Sequence, residues 1–81
     1  MHYVYVLQSE KDGDWYIGST KDLKRRLLQH NRGENKSTNN RRPFKVVYYE
    51  ASESKSSALR REKYLKTAYG HRYLRSRLER D

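Results

Sequence analysis

The stretch from Trp15 to Asn31 constrains this chain more than any other, because it reads as a short strand running through one glycine into a helix. Tyr16 and Ile17 suit a pleated surface, and Gly18 permits a turn or a close backbone approach. Ser19 or Thr20 can cap the helix, which is predicted over residues 21–31 with Asp22 near its positive end. Leu23 and Leu27 repeat one turn apart, and Arg26 and His30 share the same spacing beside them, so both polar heads emerge on one flank. A tyrosine, an arginine and a histidine are therefore expected to meet near the glycine.

The rest of the chain reads as support for that unit. Tyr3 to Gln8 is aromatic and β-branched, as strands are, and Asp12-Gly13 supplies a hairpin turn, so the first two strands should be antiparallel. Gly33 suits a left-handed helix C-terminus. Residues 34–42 hold no apolar residue and no period, which predicts a mobile, basic surface loop. Pro43 bars a helix, and Phe44 to Glu50 is a third strand that returns to the free side of strand one or strand two. A helix is predicted from Lys55 to Thr67, with Gly70 marking its end and Ala58, Glu62, Leu65 and Tyr69 on one stripe. Tyr73 to Arg80 reads as a short basic helix. The order is β-β-α-β-α-α, an α+β fold in which helices cover one or both faces of a three-stranded sheet, expected to form one domain over residues 1–81.

Composition narrows the function classes. With 33% hydrophobic residues the core is modest, and with no cysteine neither a disulfide framework nor a thiolate metal site is available, which points to an intracellular, cytoplasmic protein. No apolar run approaches the ~20 residues of a membrane span, and the amino terminus lacks the basic start and cleavage site of a signal peptide. A net charge of +9 makes nucleic acid the leading partner class, although anionic membrane or ribosome surfaces would also satisfy it.

Phosphodiester cleavage needs a base to activate water, cations on the developing phosphorane charge, and often a divalent ion at the leaving oxygen. Tyr5 and Tyr16 on adjacent strands, Arg26 and His30 on the first helix and Glu62 on the second can supply each part if three elements converge. Taken singly, each has a plainer explanation. Any one of eight tyrosines is ordinarily a rim residue with its ring buried and its hydroxyl wet, and a lone arginine or histidine on a helix flank is ordinarily solvated. Glu62 is costly to bury amid Ala58, Leu65 and Tyr69 unless paired. The residues alone favour an ion pair to Arg26 or another cation over a metal site, while leaving room for a Mg²⁺ ion held chiefly by water and substrate phosphate. There is no cysteine nucleophile and no phosphate-cradling glycine-rich loop, and the three histidines lack metal-ligand spacing.

Tyr3-Val4-Tyr5 and Tyr16-Ile17-Gly18, followed by Arg26, His30 and Glu62, resemble the GIY-YIG nuclease superfamily. Gln29-His30-Asn31, Arg41-Arg42-Pro43 and Gly70-His71-Arg72 are similar to its small single-domain bacterial branch, related to the nuclease domain of the Slx-type structure-selective nucleases. The resemblance implies a three-stranded antiparallel sheet flanked by helices and one-metal hydrolysis of DNA. It implies that Tyr16 or Tyr5 activates water, Arg26 binds the scissile phosphate, His30 assists the base or orients water, and Glu62 holds Mg²⁺ or Mn²⁺. Gly18 would admit the phosphate to the backbone, with Thr20 and Lys24 as minor contacts. On this resemblance the Glu34 to Arg42 loop, with Arg41 and Arg42, and the terminal basic helix would be the substrate-selecting surfaces. The first triplet has Tyr3 in place of glycine, Ser19 stands where some members carry a lysine, and the downstream asparagine of homing-type members is absent. The alternatives are a catalytically weak nucleic-acid-binding module or an accessory subunit needing a protein partner. The pattern leaves monomer and dimer open, and implies no membrane association.

Overall fold

The computed structural model describes residues 1–79. Strands β1 (His2–Ser9), β2 (Trp15–Thr20) and β3 (Phe44–Ser52) and helices α1 (Leu23–Asn31), α2 (Lys55–Leu65) and α3 (Ala68–Leu78) follow one another in the expected order β1-β2-α1-β3-α2-α3. The sheet is antiparallel with strand order β2-β1-β3, so β1 is central and β3 lies on its free side. Arg80, where the terminal helix was expected to end, lies outside the described residues.

Side chains alternate across β1, and each face of the sheet acquires its own core. Val4 and Val6 join Ile17, Ala58, Leu65 and Leu74 beneath α2 and α3, while Tyr5 and Leu7 join Phe44 beneath α1, with Tyr16, Leu23 and Leu27 packed around them. Helices therefore cover both faces. Leu65 and Leu74 are wholly buried, and each contributes on the order of 1.5–3 kcal/mol by leaving water. A bulge breaks the β1–β3 register between Val6 and Leu7. It lets Val46 face α1 while Val47 and Tyr48 both turn to the other core.

Several boundaries differ from expectation, for local reasons. β2 continues to Thr20, paired with Tyr3, so neither Ser19 nor Thr20 caps α1. Asp22 does, accepting from the Arg25 N–H at 3.0 Å. Gly33 closes α1 as predicted, with φ +80° and the Glu34 N–H bonded to the Gln29 carbonyl at 3.0 Å.

The second helix ends at Leu65 instead of Thr67. Thr67 caps a new helix by accepting from the Gly70 N–H at 3.1 Å, so Gly70 sits inside α3 and ends nothing. A Cβ there would lie 2.2 Å from the Tyr64 carbonyl oxygen and 2.4 Å from the Leu65 Cα. This glycine lets two helices meet at a tight corner. The corner also throws Tyr69 off the Ala58–Glu62–Leu65 stripe and leaves it 69% exposed.

The segment 34–42 is not a bare mobile loop. It contains a 3-10 turn at Asn39–Arg41 and a fully buried Thr38. Its ends are clamped by Asn31, whose side chain donates to the Phe44 carbonyl at 3.0 Å and accepts from the Phe44 N–H at 2.7 Å.

Candidate active site

The site forms at the end of edge strand β2, where α1 on one face and α2 on the other reach the same strand. Tyr5 is opposite Gly18 in the β1–β2 register. Its ring lies over that glycine so closely that a Cβ would stand 2.6 Å from the tyrosine oxygen. The close approach read into Gly18 is thus made by the Tyr5 hydroxyl. Tyr5 is 1% exposed, whereas Tyr16 is half-buried. Their ring centroids are 6.4 Å apart, and the His30 ring lies 4.9 Å from that of Tyr16.

His30 is wholly buried and bonded at both nitrogens, Nε2 to the Tyr5 hydroxyl at 3.0 Å and Nδ1 to the Thr38 hydroxyl at 2.8 Å. Burial first, then the nearby Arg26 charge, lowers its pKa below the ordinary histidine value. Tyr5 is pushed up to about 12, chiefly by burial and then by Tyr16; the Arg26 guanidinium beside its hydroxyl opposes the rise and the Glu62 carboxylate adds to it. Arg26 on α1 and Glu62 on α2 therefore act on one tyrosine oxygen from opposite sides of the sheet.

Glu62 makes the ion pair that its residue neighbours favoured, but with Lys66 one turn along, at 2.8 Å, and not with Arg26. Its other oxygen accepts from the Ser19 hydroxyl at 2.7 Å. Ser19, just after the second triplet, thus orients the carboxylate across the edge strand, a role its sequence position did not announce.

A cleft of about 750 Å³ opens beside this cluster, lined by Ser19, Thr20, Lys21, Arg25, Arg26 and Lys55 among others. Asp22 is the one acid among its lining residues, and its carboxylate already caps α1. Neither of the catalytic tyrosine candidates lines this cleft; Arg26 and Ser19 are what join it to the cluster. A smaller hollow of about 370 Å³ continues past Arg26 and Gln29 to Asn35 and Lys36. The lining is mainly cationic, with Arg25 and Arg26 from α1, Lys55 from α2 and Lys36 from the loop, and Glu34 beside Lys36 in the smaller hollow.

Two candidates are placed elsewhere. Arg41 pairs with Asp12 at 2.9 Å, donates to the Trp15 carbonyl at 3.3 Å and lies over the Phe44 ring. Arg42 donates to the Asn39 carbonyl at 2.9 Å. Both guanidiniums are engaged in holding the 34–42 segment, away from the cleft. Lys24 is exposed on α1.

Glu62 is the candidate for holding a metal among the described residues. Among the described residues no three His, Asp or Glu side chains group together. One carboxylate does not make a cage for an ion, but it fits a single Mg²⁺ or Mn²⁺ that keeps most of its ligands as water and substrate phosphate.

The chain is similar to known proteins over most of its length. Residues 1–74 match the family model of the GIY-YIG catalytic domain. A UPF0213 protein of Staphylococcus saprophyticus is 45% identical over 82% of this chain and 80% of its own length. A UPF0213 protein of Staphylococcus aureus is 44% identical over 91% of this chain and 90% of its own. The solution NMR structure of the UPF0213 protein BH0048 from Bacillus halodurans covers 93% of this chain and 82% of its own, at 40% identity and a TM-score of 0.57. No helix among the described residues is long and apolar enough to cross a membrane.

Proposed function

The chain belongs to the GIY-YIG family, and on that premise we propose that it is a divalent-metal-dependent endonuclease hydrolysing DNA phosphodiester bonds, selective for structure or single strands and not for sequence. The family membership implies a nuclease-type function on nucleic acid. The observation that carries the finer reading is the convergence of Tyr5, Tyr16, Arg26, His30 and Glu62 from separate elements upon the end of β2.

Each chain group then has a task. Tyr16, half-buried against His30, is the hydroxyl with access to an attacking water; Tyr5, buried and pushed up to about 12, is poorly suited to that contact. Arg26, shared between the cluster and the cleft, binds the scissile phosphate and stabilises its added negative charge. Thr20 and the lysines of the cleft seat the flanking backbone. Glu62, aimed by Ser19, would hold the divalent ion, which when bound would supply charge neutralisation for the leaving group. Arg41 and Arg42 serve the substrate indirectly, through the segment they hold.

The test is cleavage of end-labelled single-stranded, duplex, flap and branched DNA with Mg²⁺, Mn²⁺ or EDTA. Wild type should cut only with metal, and Glu62→Gln and Tyr16→Phe should each lose at least ~100-fold in rate. Salt-sensitive binding without any metal-dependent cleavage would instead identify a nucleic-acid-binding module. Cleavage that appears only when a protein partner is added would identify an accessory subunit.

A further inference from the structure

The buried chain behind the site runs from the Tyr5 hydroxyl, which lies within the influence of the Arg26 charge, to His30 Nε2, through the ring to Nδ1, to the Thr38 hydroxyl, and on to the Asn35 carbonyl, which the Thr38 hydroxyl reaches at 3.4 Å. Two proton arrangements fit the distances. In one, His30 carries its proton on Nδ1 and Tyr5 donates to bare Nε2. In the other, Nε2–H donates to Tyr5, and Thr38 donates to Nδ1.

The second arrangement leaves the Tyr5 proton stranded. Tyr5 is 1% exposed, and its hydroxyl has no acceptor other than His30 among the described residues. It would also place Nε2–H against an oxygen that already faces the Arg26 cation. The first arrangement gives every proton in the chain an acceptor, ending on a backbone carbonyl.

We propose that Thr38 is a positioning residue: by accepting the Nδ1 proton of His30 it holds the imidazole in the tautomer with bare Nε2, turning the Tyr5 proton inward and the Tyr5 lone pairs towards Arg26. The chain then steadies Arg26 at the phosphate and leaves Tyr16 as the tyrosine that faces water. This rests on the nuclease reading for its consequence, but not for its geometry. The groups facing His30 are Tyr5 from β1, Tyr16 from β2, Arg26 from its own helix and Thr38 from the loop, with Glu62 of α2 acting on Tyr5 beyond. Its lowered pKa keeps the ring neutral at neutral pH, as two-way bonding of this kind requires. The same loop lines the smaller hollow through Asn35 and Lys36, so the segment that orients the histidine also borders the nucleic-acid path.

The experiment is ¹⁵N imidazole NMR of wild type, Thr38→Val and Thr38→Ser at neutral pH, with single-turnover cleavage of the same samples. Wild type and Thr38→Ser should show His30 protonated at Nδ1 and bare at Nε2. Thr38→Val, which keeps the volume but removes the acceptor, should shift towards the Nε2–H form. It should lose roughly 10- to 100-fold in cleavage rate with DNA affinity unchanged, and serine should restore the rate. An Nε2–H ring in wild type overturns the proposal, as does an unchanged tautomer in folded Thr38→Val. Should valine prevent folding, the wild-type and serine tautomers decide alone. If the tautomers follow the prediction but no sample cleaves DNA, the positioning role stands and the nuclease reading fails.

Discussion

Replacing Gly18 by alanine should destabilise the protein, against the usual direction for such a change in a strand. Alanine ordinarily gains about 0.5–1 kcal/mol over glycine in a strand interior because it has less backbone freedom to lose. Here the added methyl would stand 2.6 Å from the Tyr5 oxygen and 2.8 Å from the carbon that bears it, where ordinary contact begins at 3.4 Å. The ring must retreat by nearly an ångström into a core that leaves it 1% exposed. Overpacking of this kind costs about 1–3 kcal/mol. The retreat also strains the 3.0 Å bond to His30, whose loss adds about 1 kcal/mol. The net expectation is a loss of about 2–3 kcal/mol, on the order of 10–20 °C in Tm for a domain of this size. Urea and thermal unfolding measure it. In a Tyr5→Phe background the hydroxyl contact and its hydrogen bond are both gone, so the same substitution should cost about 1 kcal/mol less. A Gly18→Ala protein as stable as wild type, or an equal cost in both backgrounds, would refute the steric account.

Two further outcomes follow from the same packing and electrostatics. Gly70→Ala should cost about 3 kcal/mol or more, because the atoms a Cβ would meet are backbone of the α2–α3 corner and cannot swing aside. Gly13→Ala meets nothing within 4 Å and should cost only the ~1–2 kcal/mol of its left-handed backbone; thermal melts compare the two. Because His30 has a lowered pKa in the native state, the unfolded chain takes up that proton first as pH falls through about 6.5. Its contribution is complete above that pH and is lost below it, down to the folded-state value. Unfolding midpoints from pH 7.5 to 5 should therefore fall more steeply in wild type than in His30→Gln. A second decline belongs below about pH 4.5. There burial raises the Glu50 pKa, but the Arg61 bonds outweigh it and hold the group low, as Arg41 does for Asp12.

Much of the architecture was legible because it rests on short periods. Tyr3 to Gln8 is aromatic and β-branched, Gly13 and Gly33 stand where positive φ is needed, and Arg26 and His30 share a helix flank by spacing alone. What the sequence could not display is set by contacts distant along the chain. A glycine at a helix C-terminus and one at a helix–helix corner look alike in sequence, and Gly70 proved to be the second kind. Val46 and Val47 are equally strand-like, so the bulge that reassigns Val47 and Tyr48 to the other core is silent. Thr38 is one hydroxyl in a polar run, and only the clamp at Asn31 and the fold of the loop bring it to His30. Glu62 was conspicuous as a carboxylate on an apolar stripe in need of a cation, but neither the choice of Lys66 over Arg26 nor Ser19 as its second partner was legible.

The central claim is that the side chains gathered at the end of β2 work as one catalytic unit. Its most direct test is the single-turnover rate of metal-dependent DNA cleavage by wild type, Arg26→Ala, Glu62→Gln and the double variant, each confirmed folded. Each single substitution is predicted to lose at least ~100-fold, with the double variant little slower than the worse single one, because residues acting together are not additive. Wild-type rates in either single variant, or losses that simply multiply in the double, would contradict the claim.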